Sequence, residues 1–423
     1  MNRVLAIALV ALGAVGVPAT AGAESAEEAR RAFQAIVDGL NDNTFRGFHD
    51  AIDDQSFLNR VFGTRVAEQE ARDALAQSFT EAVEELFVGS FPPSRRAAHG
   101  GDIAGTVIAF DANGGEGRAV VRYESRGYRY TYHAYDLSFG RGGKLTIVDW
   151  YDYYRGKRFS EELGNELVRA MPGRNPVAGI LEQGRPTEAQ LFQTGELLKT
   201  VRDRNWGRYF QIHEGLEESL RNEPYIVDQH HRICIDIAAT FNFRADSASR
   251  DQASAEDRVQ AQGLAQAAAR ADARLDAAVD ELVARFPGDA RYSLSLAQHY
   301  VLRGRYADAI AEYERFQDAL GIKDGASESI KATAAMALGD FVKAQEYALS
   351  AIEVEPSLEL AWWTLLRTRT AGRDYAGATE ALTELEERFG HLLIPQTLRR
   401  DRFLRVLIEQ QEYRDWRARR DAA

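Results

Sequence analysis

The chain has 423 residues, 45% of them hydrophobic and 27% charged, with a formal net charge of −12. That length suits two or three domains, and the proportions are those of a globular protein rather than a disordered or membrane-embedded one. The acidic balance argues against nucleic acid as a partner, since phosphate contacts need a basic footprint, and no polybasic run marks a membrane patch.

The first residues read as a secretory leader. A short basic start, "MNR", precedes the apolar run "VLAIALVALGAVGV", which is shorter than the ~20 residues that span a bilayer. Ala21 and Ala23 then form a small-residue A-x-A pattern before Glu24. The expectation is a signal peptide over 1–23, a mature chain starting near Glu24, and a periplasmic or secreted location. The single cysteine, Cys234, rules out an internal disulfide. Its setting in "RICIDIAA" predicts a buried structural thiol.

Residues 24–90 read as helical. Ser25 followed by Glu28 has the form of a capping box, and Ala71, Leu75, Phe79, Val83 and Leu86 recur at helical spacing before "FPPS" ends the run. Between 101 and 156 the texture changes. "AGTVIAFD", "GRAVVRYESRG", "YRYTYHAYDLSFG" and "KLTIVDWYDYYRG" are rich in β-branched and aromatic residues and are separated by glycine-rich breaks. They predict an antiparallel meander with the helices laid on one face of a curved sheet, an α+β domain over 24–165. Alternation puts Arg129, Thr131, His133, Tyr135, Leu137 and Phe139 on one face of the third strand. It puts Leu145, Ile147, Asp149, Tyr151 and Tyr153 on one face of the fourth. An Asp on an apolar face needs a partner, and His133 or a tyrosine is the candidate. His133, Tyr135, Asp149 and Tyr151 are therefore the candidate pocket. Helices followed by a meander resemble the cystatin-like and nuclear-transport-factor-two-like α+β cones. That resemblance implies a sheet whose concave face can form a ligand pocket and, in a few members, carries a His/Asp pair for acid–base work.

A Gly/Pro-rich stretch at 166–186 reads as a linker. From Thr187 to about 420 the chain reads as helices of about 12–16 residues joined by short turns, with "RADSASRDQASAEDRVQAQG" as a loop or an exposed helix start. Three segments there align, beginning at Leu296, Lys331 and Leu365. Each has a small residue before the turn, an aromatic at Tyr306, Phe341 or Tyr375, and an alanine three residues later at Ala309, Ala344 or Ala378. The period is 35 and then 34 residues. With Trp362 and Leu365 in the W and L slots and Pro356 and Pro287 closing units, the pattern resembles the tetratricopeptide repeat family. The resemblance spans about 187–418, most clearly 290–390. Leu366, Arg369 and Lys331 depart from the family pattern; Lys331 occupies a slot the pattern gives to leucine.

The resemblance implies an all-α helical solenoid of stacked helix pairs, close-packed at alanine crossings, that exposes the first helix of each pair to a protein or peptide partner. Trp362 is then a core residue between helices, and Trp363 points toward the next unit or the groove. Arg291, Gln298, Trp363, Arg367 and Arg369 are the candidate partner-binding residues. A fainter unit has Trp206 and Tyr209 in the aromatic and alanine slots, and "FLRVLIEQQEYRDWRARR" reads as a closing pair. His213 and Glu217, four apart, and the adjacent His230 and His231 suggest a metal test, but no H-E-x-x-H is present and helix packing is the preferred account. No nucleophile elbow, Walker loop or dinucleotide fingerprint occurs. The sequence thus predicts an exported, non-catalytic interaction scaffold with no catalytic residues, cofactor or metal. The alternative is a small-molecule-binding or enzymatic α+β domain with an accessory repeat domain.

Overall fold

The computed structural model describes residues 19–42, 44–62, 104–113, 115–125, 129–140, 144–161, 163–164, 187–250 and 255–422. The helix expected at 66–87, the "FPPS" stop and the 166–186 linker lie outside them. No described helix is long and apolar enough to cross a membrane.

Helices α1 (Ala19–Asn41), α2 (Arg46–Ala51) and α3 (Asp54–Phe62) precede the sheet. Ser25 lies inside α1 instead of capping it, because the preceding alanines favour helix and extend it upstream. Five antiparallel strands follow in simple order: β1 (Ala104–Asn113), β2 (Glu116–Ser125), β3 (Arg129–Phe139), β4 (Leu145–Asp152) and β5 (Lys157–Arg158). The first four coincide with the strands read from sequence, and β5 is an addition of two residues. One face buries Val107, Ala119, Val121, Tyr123, Tyr135, Leu137, Ile147 and Trp150 with Phe33, Val37, Phe48 and Phe57 of α1–α3. This is the helices-on-one-face arrangement.

The fourth strand departs from strict alternation. Asp136 pairs with Asp149 while Leu137 pairs with Ile147, so Val148 has no opposite residue. A bulge of this kind shifts the two-residue period. Leu145 and Ile147 face α1–α3, but beyond the bulge Trp150 takes that face and Tyr151 and Tyr153 join the other.

The helical remainder comprises α4 (Glu188–Arg202), α5 (Trp206–Glu214), α6 (Glu218–Arg221), α7 (Pro224–Arg250), α8 (Ala255–Arg285), α9 (Ser293–Leu302), α10 (Tyr306–Leu320), α11 (Gly325–Ala337), α12 (Phe341–Val354), α13 (Glu359–Ala371), α14 (Tyr375–Phe389), α15 (Pro395–Leu398) and α16 (Gln411–Ala422). Thr187 opens this half with a full capping box to Gln190. α7 and α8, of 27 and 31 residues, exceed the expected length. Their alanine-rich sequence carries no proline beyond the first turn, and the lone Gly263 is tolerated. Of the polar 244–263 stretch, residues 244–250 end α7 and residues 255–263 begin α8. The expected closing pair is also different. Residues 402–410 form turns and a short 3₁₀ segment before α16, with Leu404 and Leu407 buried as anchors.

One turn geometry recurs in four helix pairs among the described residues. Arg204, Gly304, Gly339 and Arg373 have φ of 52°, 70°, 81° and 64°. The next residue, Asn205, Arg305, Asp340 or Asp374, sits at φ between −82° and −89° and ψ between 62° and 77°. Its backbone N–H bonds the carbonyl five residues back, on Thr200, Tyr300, Ala335 and Arg369. The aromatics Trp206, Tyr306, Phe341 and Tyr375 then start the second helix. Glycine suits the left-handed position at two of these turns because it carries no Cβ. Ala309, Ala344 and Ala378 are fully buried at the crossings.

The second face of the sheet is covered by these helices. Val120, Tyr130, Tyr132, Ala134 and Tyr153 cluster with Leu294, Ala297, Tyr313, Phe316, Leu320 and Ala326. At the centre Arg122, 3% exposed, grips both oxygens of Glu355 at 2.7 and 2.8 Å and Asp324 at 2.8 Å. Asp324 also accepts from Tyr132 Oη at 2.6 Å and from Ser327 N at 2.7 Å, capping α11. Burial works against the Arg122 charge, but the Glu355 hydrogen bond and the Asp324 charge outweigh it and hold the guanidinium pKa above its ordinary value. Gly156, at φ +68°, lets the β4–β5 turn pass the Arg291 carbonyl, which a Cβ would meet at 2.5 Å.

Two stability outcomes follow. Arg122→Met strands the buried Asp324 carboxylate, and stability should fall by about 3–5 kcal/mol. The thermal midpoint and protease sensitivity of the sheet check this; unchanged behaviour would mean that the cluster holds nothing together. Ala344→Trp overpacks a closed crossing at about 1–3 kcal/mol or more. An unshifted midpoint would contradict the close approach.

Candidate functional site

Of the residues expected to line a sheet pocket, His133 and Tyr135 meet, while Asp149 and Tyr151 are turned to the other face of the sheet. Asp149 is fully buried and accepts from Ser160 Oγ at 2.7 Å, Ser160 N at 3.2 Å and Trp150 N at 2.9 Å. Arg158 and Arg60 stand 3.5 and 3.6 Å away. His133 is not its partner, because the bulge at Val148 rotates Asp149 out of phase. His133 instead lies 3.7 Å from Asp152 through Nε2 and 3.2 Å from the Tyr135 hydroxyl through Nδ1. The Tyr135 hydroxyl meets that of Tyr123 at 2.6 Å. The grouping has the residue types of proton transfer, but Phe33, Phe48 and Trp150 pack around Tyr135 and the Tyr123 ring lies against His133. Burial raises the Tyr135 hydroxyl well above the usual tyrosine range, so it stays protonated at neutral pH. Tyr151 is half-buried against Tyr153.

The candidate partner-binding residues make contacts within the chain. Gln298 donates to the Tyr130 carbonyl at 2.7 Å. Arg291 remains exposed and pairs with Asp289. Arg367 reaches Asp401 at 2.7 Å, and Arg369 reaches the Gly377 carbonyl at 2.6 Å and Glu380 at 3.0 Å. Trp363 donates to Glu359 at 2.9 Å beside His391. Trp362 is half-buried rather than central, donating to the Pro356 carbonyl.

An open cleft of about 630 Å³ lies between α10, α11 and α12. Its lining includes Glu314, Asp318, Glu328 and Glu346 against Lys323 and Lys331, with Tyr347. Lys331, 4% exposed, meets Glu328 at 2.6 Å and Gln317 at 3.0 Å, with its ammonium 4.5 Å from the Tyr347 ring centroid. Tyr347 donates to Glu314 at 2.8 Å. Sequence reading did not find this cleft, although the lysine in a leucine slot was its signal. Residues 342, 346, 349, 350 and 353 share one face of α12. Val342 and Leu349 are exposed on it beside Glu346.

The histidines also differ from expectation. α5 ends at Glu214, so Glu217 falls beyond the helix and is exposed, while His213 is buried. His213 instead meets His230 of α7, with rings 3.6 Å apart and 3° from parallel. Burial pushes the His213 pKa down to about 4, helped by Arg221, and that of His230 down to about 3, helped by His213. His231 turns the other way, toward Tyr292. Cys234 is buried as expected, and burial pushes its thiol up to about 12.

No protein-family model matches this chain, and no curated protein matches it.

Ser160→Ala removes the hydroxyl that satisfies one oxygen of the buried Asp149. A loss of about 1–3 kcal/mol is expected, read as a lower thermal midpoint. No loss would show that the arginines and the two backbone amides suffice for the carboxylate.

Proposed function

We propose that the chain is an exported, non-catalytic interaction scaffold. In this reading its helical half is a tetratricopeptide-like solenoid, and it binds a basic, amphipathic segment of a protein partner at the α10–α12 cleft. The observation that carries the reading is the contrast between two places. The sheet residues with chemical potential are consumed in packing, whereas the cleft is open and acidic and adjoins an apolar helix stripe. The recurrent helix-pair turn and the buried alanines at the crossings support the repeat assignment. A solenoid of this kind presents its surfaces through stacking of pairs that cannot bury their own faces.

The chemistry of the cleft selects the ligand. Glu328 is answered by Lys331, which also lies over the Tyr347 ring; Glu314, Asp318 and Glu346 against Lys323 leave a net negative lining that favours a cation. Val342 and Leu349 offer the apolar contact that an amphipathic segment needs. Because Gln298 serves the chain's own sheet, and Arg367 and Arg369 pair within the helical half, the working surface moves from those positions to the cleft. The export component rests on the leader pattern of 1–23.

Fluorescence anisotropy with two synthetic amphipathic helices, one lysine-rich and one glutamate-rich, tests this reading. The lysine-rich peptide should bind selectively, more weakly as salt rises. The Glu314→Lys/Glu346→Lys double variant should weaken it at least about tenfold, a change of about 1.4 kcal/mol, at unchanged helical content. Equal binding of both peptides, or binding that survives the double variant, would sink the proposal.

A further inference from the structure

The buried histidine pair has a geometry that packing alone leaves incomplete. His213 and His230 come from different helices, and Glu281 of α8 brings a carboxylate to the same point. One ligand atom from each lies within 4.8 Å of the others. His213 is 4% exposed, and among the described residues its Nε2 has no hydrogen-bond partner. An unpaired buried nitrogen is costly. The two rings stack nearly parallel, so one of them must turn about its Cβ–Cγ bond to bring both nitrogens onto a single ion.

We propose that His213, His230 and Glu281 form a binding site for one zinc-class transition-metal ion. Two imidazoles and a carboxylate suit a borderline divalent ion, and three protein ligands leave one position open. The arrangement around them fits. Tyr209 Oη lies 3.2 Å from His230 Nδ1, so the hydroxyl can accept a hydrogen bond from Nδ1–H and leave Nε2 for ligation, the usual outer support of a metal-bound histidine. Glu281 is exposed and provides the entry side, while both histidines sit in the apolar core that shapes the site. Cys234 Sγ stands 3.7 Å from His230 Nε2, but it is outside the three-residue group and serves as a buried thiol. Arg274, whose guanidinium covers the Phe210 ring, opposes a cation, and Glu281 offsets it. Bound metal would tie α5, α7 and α8 together and stabilise the folded state by mass action.

The test uses the full purified chain, stripped with chelator and titrated with Co²⁺ and Zn²⁺. One equivalent of Co²⁺ should give a saturable visible absorption of four-coordinate type, displaced by Zn²⁺, and Zn²⁺ should raise the thermal midpoint. Glu281→Gln, at an exposed position, should keep the fold and lower affinity about tenfold or more, as should His213→Gln. His231→Gln, whose ring points away, should bind as the parent, and so should Cys234→Ser. Absence of a saturable spectrum in the parent overturns the site. So does unchanged affinity in both Glu281→Gln and His213→Gln, and loss of binding in Cys234→Ser overturns this ligand set. The peptide-binding result at the α10–α12 cleft is independent of all these outcomes.

Discussion

A single guanidinium holds the two textures of this chain together. Arg122 stands on the face of the sheet that its own helices do not cover. It is buried only because Asp324 and Glu355 of the helical half meet it with three hydrogen bonds. A buried arginine without such partners would be prohibitive, so the charge specifies how the halves dock. Tyr132 and the α11 cap are satisfied by the same Asp324 carboxylate. Docking and helix initiation thereby share one group, and the apolar cluster from Val120 to Ala326 closes around it.

That constraint decides which surfaces remain for work. With α1–α3 on one face of the sheet and α9–α13 on the other, the aromatic and polar residues of β3 and β4 become interior. His133, Asp149 and Asp152 are then buried, each held by neighbours from the sheet and the segments beside it. The acidic cleft between α10, α11 and α12 borders this contact, since Gln317 of its lining donates to the Asp324 carbonyl, and it stays open. The histidine pair sits in a separate core, behind α8. The proposed peptide site and the proposed metal site therefore lie in different parts of the helical half.

The helix pairs share a mechanism as well as a spacing. The left-handed residue, the following cap and the aromatic that opens the next helix recur at Arg204, Gly304, Gly339 and Arg373. Glycine meets the requirement without strain, and arginine bears it where neighbours fix the turn. At three of these crossings Ala309, Ala344 and Ala378 let the second helix approach, and Tyr209 takes that slot in the first pair. Lys331 shows how such a pattern is modified. It fills an apolar slot yet remains buried because Glu328, Gln317 and Tyr347 answer its charge.

Local physics by itself determined the four long strands, the helix pairs and their turns, and the burial of Cys234, because alternation, capping and alanine spacing act over a few residues. It also indicated which strand face carries Tyr130, Tyr132 and Ala134 and which carries Tyr135 and Leu137. Tertiary structure alone decided the rest. The bulge at Val148 reversed the phase of β4 and separated His133 from Asp149, since one unpaired residue turns every later side chain over. The break at Gly215 removed Glu217 from His213, and α7 supplied His230 in its place. Arg122, Asp324 and Glu355 lie far apart along the chain, as do His213, His230 and Glu281. Their meetings depend on how whole elements pack, which periodicity within any one of them does not encode.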